Sequence, residues 1–210
     1  YNYMHRPSLK KESMKRALIR YAKQRFDVMK ASHEQDNDQN ASSSTLAAPI
    51  SPTPNIIIES FLPRLKIDRN SLLVDLGCGD GRWLFAANSF TNCRCLGIDV
   101  DEERLTIARN DIVIHKLQDL VTVRRQDVFE FVKESEDILG ADVIVLYLFR
   151  EAMADLGALL GQRLVLNPDR EESTTASKSV QILSVGFALA GWTSAYEEKI
   201  GGIRVYLYRT

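Results

Sequence analysis

Leu72-Leu73-Val74-Asp75-Leu76-Gly77-Cys78-Gly79-Asp80-Gly81-Arg82 is the stretch that decides the fold. A short apolar run enters three glycines at alternate positions, and a helical pattern starts directly after them. Glycine lets the backbone turn sharply and lets a ligand approach the main chain with no Cβ in the way. A helix opening there presents unpaired N–H groups and the positive end of its dipole. The stretch therefore predicts a strand, a ligand-binding loop and a helix, in that order.

The glycine spacing narrows the ligand. A nicotinamide fingerprint reads G-x-G-x-x-G and seats a pyrophosphate on the helix. In this chain the third position of that pattern is Arg82, so the fingerprint fails. The spacing is G-x-G-x-G through Gly77, Gly79 and Gly81, with Asp75 two residues ahead of the first. A carboxylate at Asp75 repels a pyrophosphate and suits an ammonium group, which points to the methionine moiety of S-adenosylmethionine.

Outward from the loop, strands and helices alternate. Residues 55–65 carry helical periodicity, 71–76 a strand, 81–89 a helix, 93–100 a strand and 101–115 a helix with an acidic first turn. Residues 120–125 read as a third strand and 128–136 as a helix. Residues 141–149 (ADVIVLYLF) form the most continuous apolar run, as a strand buried on both faces should. A helix over 151–162 follows. Both 163–166 and 180–187 suit the next strand; the second is preferred, with 167–179 as a polar insertion. Residues 195–200 and 203–208 flank Gly201-Gly202 and read as an antiparallel hairpin. The whole predicts an α/β, Rossmann-like doubly wound sheet of seven strands, mostly parallel, closed by a C-terminal antiparallel hairpin.

Two further acids stand at strand ends. Asp99 closes the second strand, where a carboxylate accepts from ribose hydroxyls in NAD and S-adenosylmethionine sites alike. Asp127 follows the third strand and is placed to accept from an adenine amine, with Val128 beside the ring and Val100 after Asp99. Asp127 equally suits the N-cap of the helix that follows. Leu146 and Tyr147 mark the end of the fourth strand, where the methyl acceptor would approach. Tyr147 reads either as a channel-lining residue or as a core aromatic.

The segment over 49–210 resembles a class I, seven-strand methyltransferase dependent on S-adenosylmethionine. Asp75–Arg82, Gly97–Arg104, Gln126-Asp127-Val128-Phe129 and Leu146-Tyr147-Leu148 are similar to a narrower group of small lysine methyltransferases. That group includes relatives of the seven-strand histone-lysine enzyme and the ATP-synthase c-subunit lysine methyltransferases. The resemblance implies in-line methyl transfer to a protein lysine. It also implies a cofactor contact at Thr53, within Pro52-Thr53-Pro54. Where the group often has proline after the fourth strand, this chain has Arg150. The Asn/Asp-Pro-Pro-aromatic signature of adenine and glutamine amino-methyltransferases is absent from that position.

Ahead of this domain, residues 1–30 hold nine Lys/Arg against Glu12 and Asp27, a charge of +7 that leaves −8 for the remainder. Met14, Leu18, Tyr21, Phe26 and Met29 give residues 8–30 an amphipathic helical pattern. A helix docked on its own domain, a partner- or RNA-binding helix, a membrane-surface helix and a mitochondrial targeting remnant all fit that pattern. Residues 31–48 are rich in Ser, Asn, Gln and Asp and read as a flexible polar linker. Three cysteines, Cys78, Cys93 and Cys95, suggest reduced thiols and an intracellular chain, cytoplasmic or mitochondrial. Cys93 and Cys95 lack further ligands nearby to complete a metal site. His5, His33 and His115 are scattered, with no catalytic triad pattern. No run approaches the ~20 apolar residues of a membrane span. The acceptor readings that remain are a protein lysine, an RNA or a small molecule, beside a non-catalytic partner subunit that keeps the cofactor fold.

Overall fold

A central strand, β1 (Leu72–Leu76), divides the sheet, with β2 (Arg94–Asp99) on one side and β4 (Val143–Leu146) on the other. The computed structural model describes residues 52–165 and 179–210. The basic helix, the polar linker and nearly all of the polar insertion expected from the sequence lie outside the described residues.

β3 (Val121–Arg125) continues the sheet beyond β2, and β5 (Gln181–Val185) pairs in parallel with β4. β7 (Ile203–Arg209) then runs antiparallel to β5, and β6 (Tyr196–Ile200) pairs antiparallel with β7 at the edge. The order is β3-β2-β1-β4-β5-β7-β6. This is the predicted seven-stranded sheet with its closing hairpin. The chain leaves β1 in one direction and returns to its other side at β4. The gap between β1 and β4 is therefore a topological switch point, where open α/β sheets bind ligands.

Side-chain alternation along each strand feeds two cores. Leu73, Val143, Leu183 and Val205 pack on one face against α1 (Asn55–Phe61), α2 (Arg82–Thr91) and α3 (Glu102–Ile114). Val74, Leu76, Ile98, Ile144 and Ile182 pack on the other against α4 (Val128–Glu134) and α5 (Arg150–Leu164). All four residues of β4 are buried, as its unbroken apolar sequence predicts.

The differences from the sequence reading lie at element ends. The helix expected over 55–65 stops at Phe61 and tightens into a 3-10 turn, Leu62–Arg64, because Pro63 has no N–H to continue it. The helix expected over 128–136 ends at Glu134. Ser135 is extended there, and its side chain starts a second 3-10 turn, Glu136–Ile138. The fourth strand is shorter than 141–149, since Tyr147–Phe149 leave the sheet before α5 opens at Arg150. Residues 163 and 164 end α5, so the preferred alternative, 180–187, supplies β5.

Candidate functional site

The glycine loop crosses the C-terminal edge of β1 and is tied to its neighbour by its backbone. Gly77 and Cys78 both donate their N–H to Ile98 O, at 2.8 and 3.0 Å. Gly77, Gly79 and Gly81 all have positive φ, at 84°, 51° and 78°. That region is costly for residues with a Cβ, so the alternate spacing reflects three left-handed positions in one loop. At Gly77 a Cβ would also lie 2.5 Å from Leu148 Cδ2, so the segment after β4 rests directly on the loop.

Asp99, the last residue of β2, organises the loop from beside it. Its Oδ2 accepts from Gly79 N at 2.6 Å, and its Oδ1 accepts from Asp101 N at 2.9 Å. Asp101 in turn caps α3 by accepting from Arg104 N.

A cleft of about 350 Å³ opens over this loop. Five of the residues singled out in the sequence line it: Thr53, Asp75, Gly77, Gly79 and Tyr147. Gly81 caps α2 behind it, and Asp99 reaches it through Gly79. Val100, Asp127 and Val128 lie further along the same sheet edge, where Gln126 N donates to Asp99 O at 3.0 Å. Val100 is largely exposed there. Leu146 is fully buried in the core shared with α5 and does not line the cleft.

Asp127 is the N-cap of α4, its Oδ1 accepting from Phe129 N and Glu130 N at 2.8 and 3.2 Å. Its Oδ2 accepts no hydrogen bond from the described residues. The cap reading is thus met, and one oxygen is left over.

Asp75 carries the electrostatics of the cleft. It is only 3% exposed, and its carboxyl takes no hydrogen bond from any described residue. Burial pushes its pKa well above the ordinary value of 3.8, and the nearby Asp99 and Asp80 push the same way, while Arg82 opposes them. The cations around the loop are engaged elsewhere. Arg82 forms a fork with Asp80, Nε to Oδ1 at 3.2 Å and Nη2 to Oδ2 at 2.9 Å, and Arg104 pairs with Asp101 at 3.2 Å. A buried carboxyl without a partner needs a cation or a proton. The cleft therefore suits a small positively charged ligand and disfavours a pyrophosphate.

Two cleft residues were not foreseen. Arg82 Nη1 donates to Thr53 O at 2.9 Å, and Trp83 Nε1 donates to Thr53 Oγ1 at 3.2 Å. Together they hold the Pro52–Pro54 segment against the start of α2. The only sequence signal was their position, directly after the last glycine. Trp192 has a packing role: it donates to Gly157 O at 2.9 Å and meets Tyr208 edge-on. Cys93 and Cys95 are buried with their sulfurs 3.6 Å apart, and no cluster of metal-ligating side chains occurs among the described residues.

Comparison with known proteins matches this geometry to one chemistry. A family model described as the ANTKMT methyltransferase domain matches residues 75–196. A protein-lysine N-methyltransferase of Saccharolobus islandicus is 26% identical over 165 residues, covering 76% of this chain and 92% of that protein. An RNA methyltransferase from Salinibacter ruber, solved with S-adenosyl-L-homocysteine, superposes with a TM-score of 0.63. It is 27% identical, covering 76% of this chain and 93% of that one. A ribosomal protein L11 methyltransferase of Syntrophomonas wolfei is 33% identical over 72 residues, only 24% of its own length.

Proposed function

The chain belongs to the ANTKMT methyltransferase domain family, and from that premise we propose that it transfers a methyl group to the side-chain amine of a lysine in a protein. It is an S-adenosylmethionine-dependent methyltransferase. The observation that carries the cofactor assignment is Asp75, a buried and unpartnered carboxyl under a glycine loop at the sheet's switch point.

When bound, S-adenosylmethionine supplies a methyl group on a sulfonium, open to in-line displacement by a nucleophile. On our reading Asp75 holds the ammonium end of the cofactor, whose positive charge relieves the cost of ionising that carboxyl. The backbone of Gly77 and Gly79 lets the ligand lie directly on the main chain. Asp99 keeps lone pairs for ribose hydroxyls while it braces Gly79. The second oxygen of Asp127 takes the adenine amine, with Val100 and Val128 against the ring. Thr53 forms the opposite wall, and Leu146 sets the end of β4 beneath it. Tyr147 lines the path along which the acceptor amine reaches the cofactor. Alignment supplies much of the acceleration in such a displacement. No described side chain is assigned as a base, so the amine sheds its proton to solvent before entering.

The lysine acceptor is supported by the Saccharolobus islandicus relative, which this chain matches over nearly that protein's whole length. A second reading, RNA, draws on the Salinibacter ruber neighbour and on the +7 charge of residues 1–30. Tritiated S-adenosylmethionine and source-cell lysate separate the two. Label lost on protease treatment and retained after nuclease supports the protein acceptor; the reverse supports RNA. Removing residues 1–40 should weaken acceptor use and leave cofactor affinity unchanged. Among the described residues no helix is long and apolar enough to cross a membrane.

A further inference from the structure

Beyond the cofactor loop, the chain leaving β4 builds a second surface. Tyr147 lines the cleft, and a Cβ on Gly186 would lie 3.5 Å from its ring, so the end of β5 backs Tyr147. Phe187 follows Gly186, and the guanidinium carbon of Arg150 sits 4.6 Å from the centre of the Phe187 ring. Phe149, between Tyr147 and Arg150, is 47% exposed. Tyr147 packs toward the core on the α1–α3 side of the sheet and Phe187 toward that on the α4–α5 side, so the apolar shelf at the ends of β4 and β5 spans the sheet edge, with Arg150 on its Phe187 side.

That cation has no carboxylate partner among the described residues. Neither Glu151 nor Asp155, its close neighbours in sequence, pairs with it. It also opens α5 at a position where a positive charge opposes the helix dipole. Stability of the helix therefore does not account for it. The cation–π contact with Phe187 tethers the guanidinium, and its N–H groups stay available for a two-point partner. A carboxylate matches that geometry, and on the protein-lysine reading it is the anion that a substrate polypeptide supplies.

We propose that Arg150 is a specificity-determining residue that selects acceptor lysines lying beside an acidic residue in the substrate polypeptide. The inference rests on the protein-lysine reading given above. Arg150 binds the Asp or Glu neighbour, and the stem of the lysine lies along the apolar shelf toward Tyr147.

The test uses the full chain, S-adenosylmethionine and three sets of synthetic peptides. Each peptide holds one lysine flanked by Glu, by Gln or by Arg. The wild-type chain should favour the Glu set over the Gln set by about tenfold or more in kcat/KM, a difference of about 1.4 kcal/mol or more, with the gain in KM. Arg150→Ala should erase the preference, and Arg150→Glu should transfer it to the Arg set. Arg150→Lys should keep part of it. S-adenosylmethionine affinity should be the same in all four, which separates selection from misfolding. Methylation without an acid preference, or a preference that survives Arg150→Glu, overturns the assignment of Arg150. No transfer to any peptide, with the cofactor bound, overturns the lysine reading beneath it.

Discussion

The indole N–H of Trp83, at the start of α2, donates to Oγ1 of Thr53 at 3.2 Å, and both residues are buried. With Arg82 holding the carbonyl of Thr53, two consecutive helix residues fix Thr53 in the lining of the cleft. Thr53→Val keeps the shape and removes the acceptor, leaving a buried N–H unpaired. That should cost about 1–3 kcal/mol, or roughly 2–4 °C of Tm for each kcal/mol in a chain of this size. Thr53→Ser should keep most of the stability. Thermal unfolding of the three proteins checks this, and an unchanged Tm in Thr53→Val would contradict it.

The proposed ammonium role of Asp75 ties cofactor binding to pH. The raised pKa of this residue means that the folded chain, without ligand, keeps a proton that the unfolded chain loses near pH 3.8. Stability from this group is full below that value and is lost as pH rises through the raised folded value. Asp75→Asn should therefore raise the Tm of the ligand-free protein at neutral pH while weakening S-adenosylmethionine at least about tenfold. In the wild type, affinity should increase with pH across the same window, because binding expels the proton. Calorimetry in buffers of different ionisation enthalpy should register that release. A pH-independent affinity with no proton release would sink the ammonium role of Asp75.

Gly97 in β2 serves packing rather than backbone freedom. A Cβ there would meet Cys78 Sγ at 2.6 Å, Leu84 Cδ1 at 2.7 Å and Cys78 Cβ at 2.9 Å. All belong to buried side chains with little room to yield. Gly97→Ala should destabilise the chain by about 1–3 kcal/mol through overpacking. Since Cys78 lies within the glycine loop, cofactor affinity should fall as well. Denaturant titration and cofactor titration of the one variant test both effects.

Tyr147 is assigned a wall of the acceptor path, with no proton chemistry for its hydroxyl. Tyr147→Phe should therefore retain most of the transfer rate. Tyr147→Ala should lower kcat about tenfold or more, since small losses of alignment are costly in a displacement, with cofactor affinity little changed. Loss of transfer in Tyr147→Phe would show that the hydroxyl takes part directly.

The fold was legible wherever one local pattern determined one element. The glycine loop, the acids closing β2 and capping α4, and the Gly201-Gly202 hairpin each carry their own turn chemistry. The order of the sheet follows once strands alternate with helices. The Thr53 clamp was not legible, because it pairs Thr53 with Arg82 and Trp83 across about thirty residues of chain. The end of β4 was misjudged for a related reason. Tyr147-Leu148-Phe149 is as apolar as the strand before it, yet those residues leave the sheet to rest on Gly77 and Gly186. Hydropathy cannot separate a buried strand from an apolar shelf beside a cleft. Asp127 shows a third case: cap and ligand contact draw on the same residue type at the same place, and only one use is internal to the chain.

Titration calorimetry of the chain with S-adenosylmethionine, wild type against Asp99→Ala, tests the central claim most directly. Asp99 joins the glycine loop to β2, and its proposed role is to offer lone pairs to the ribose. Its loss should weaken binding by about 10–100-fold, the worth of one or two charge-assisted hydrogen bonds. A wild-type chain that shows no binding, or an Asp99→Ala chain that binds as tightly, would contradict the account.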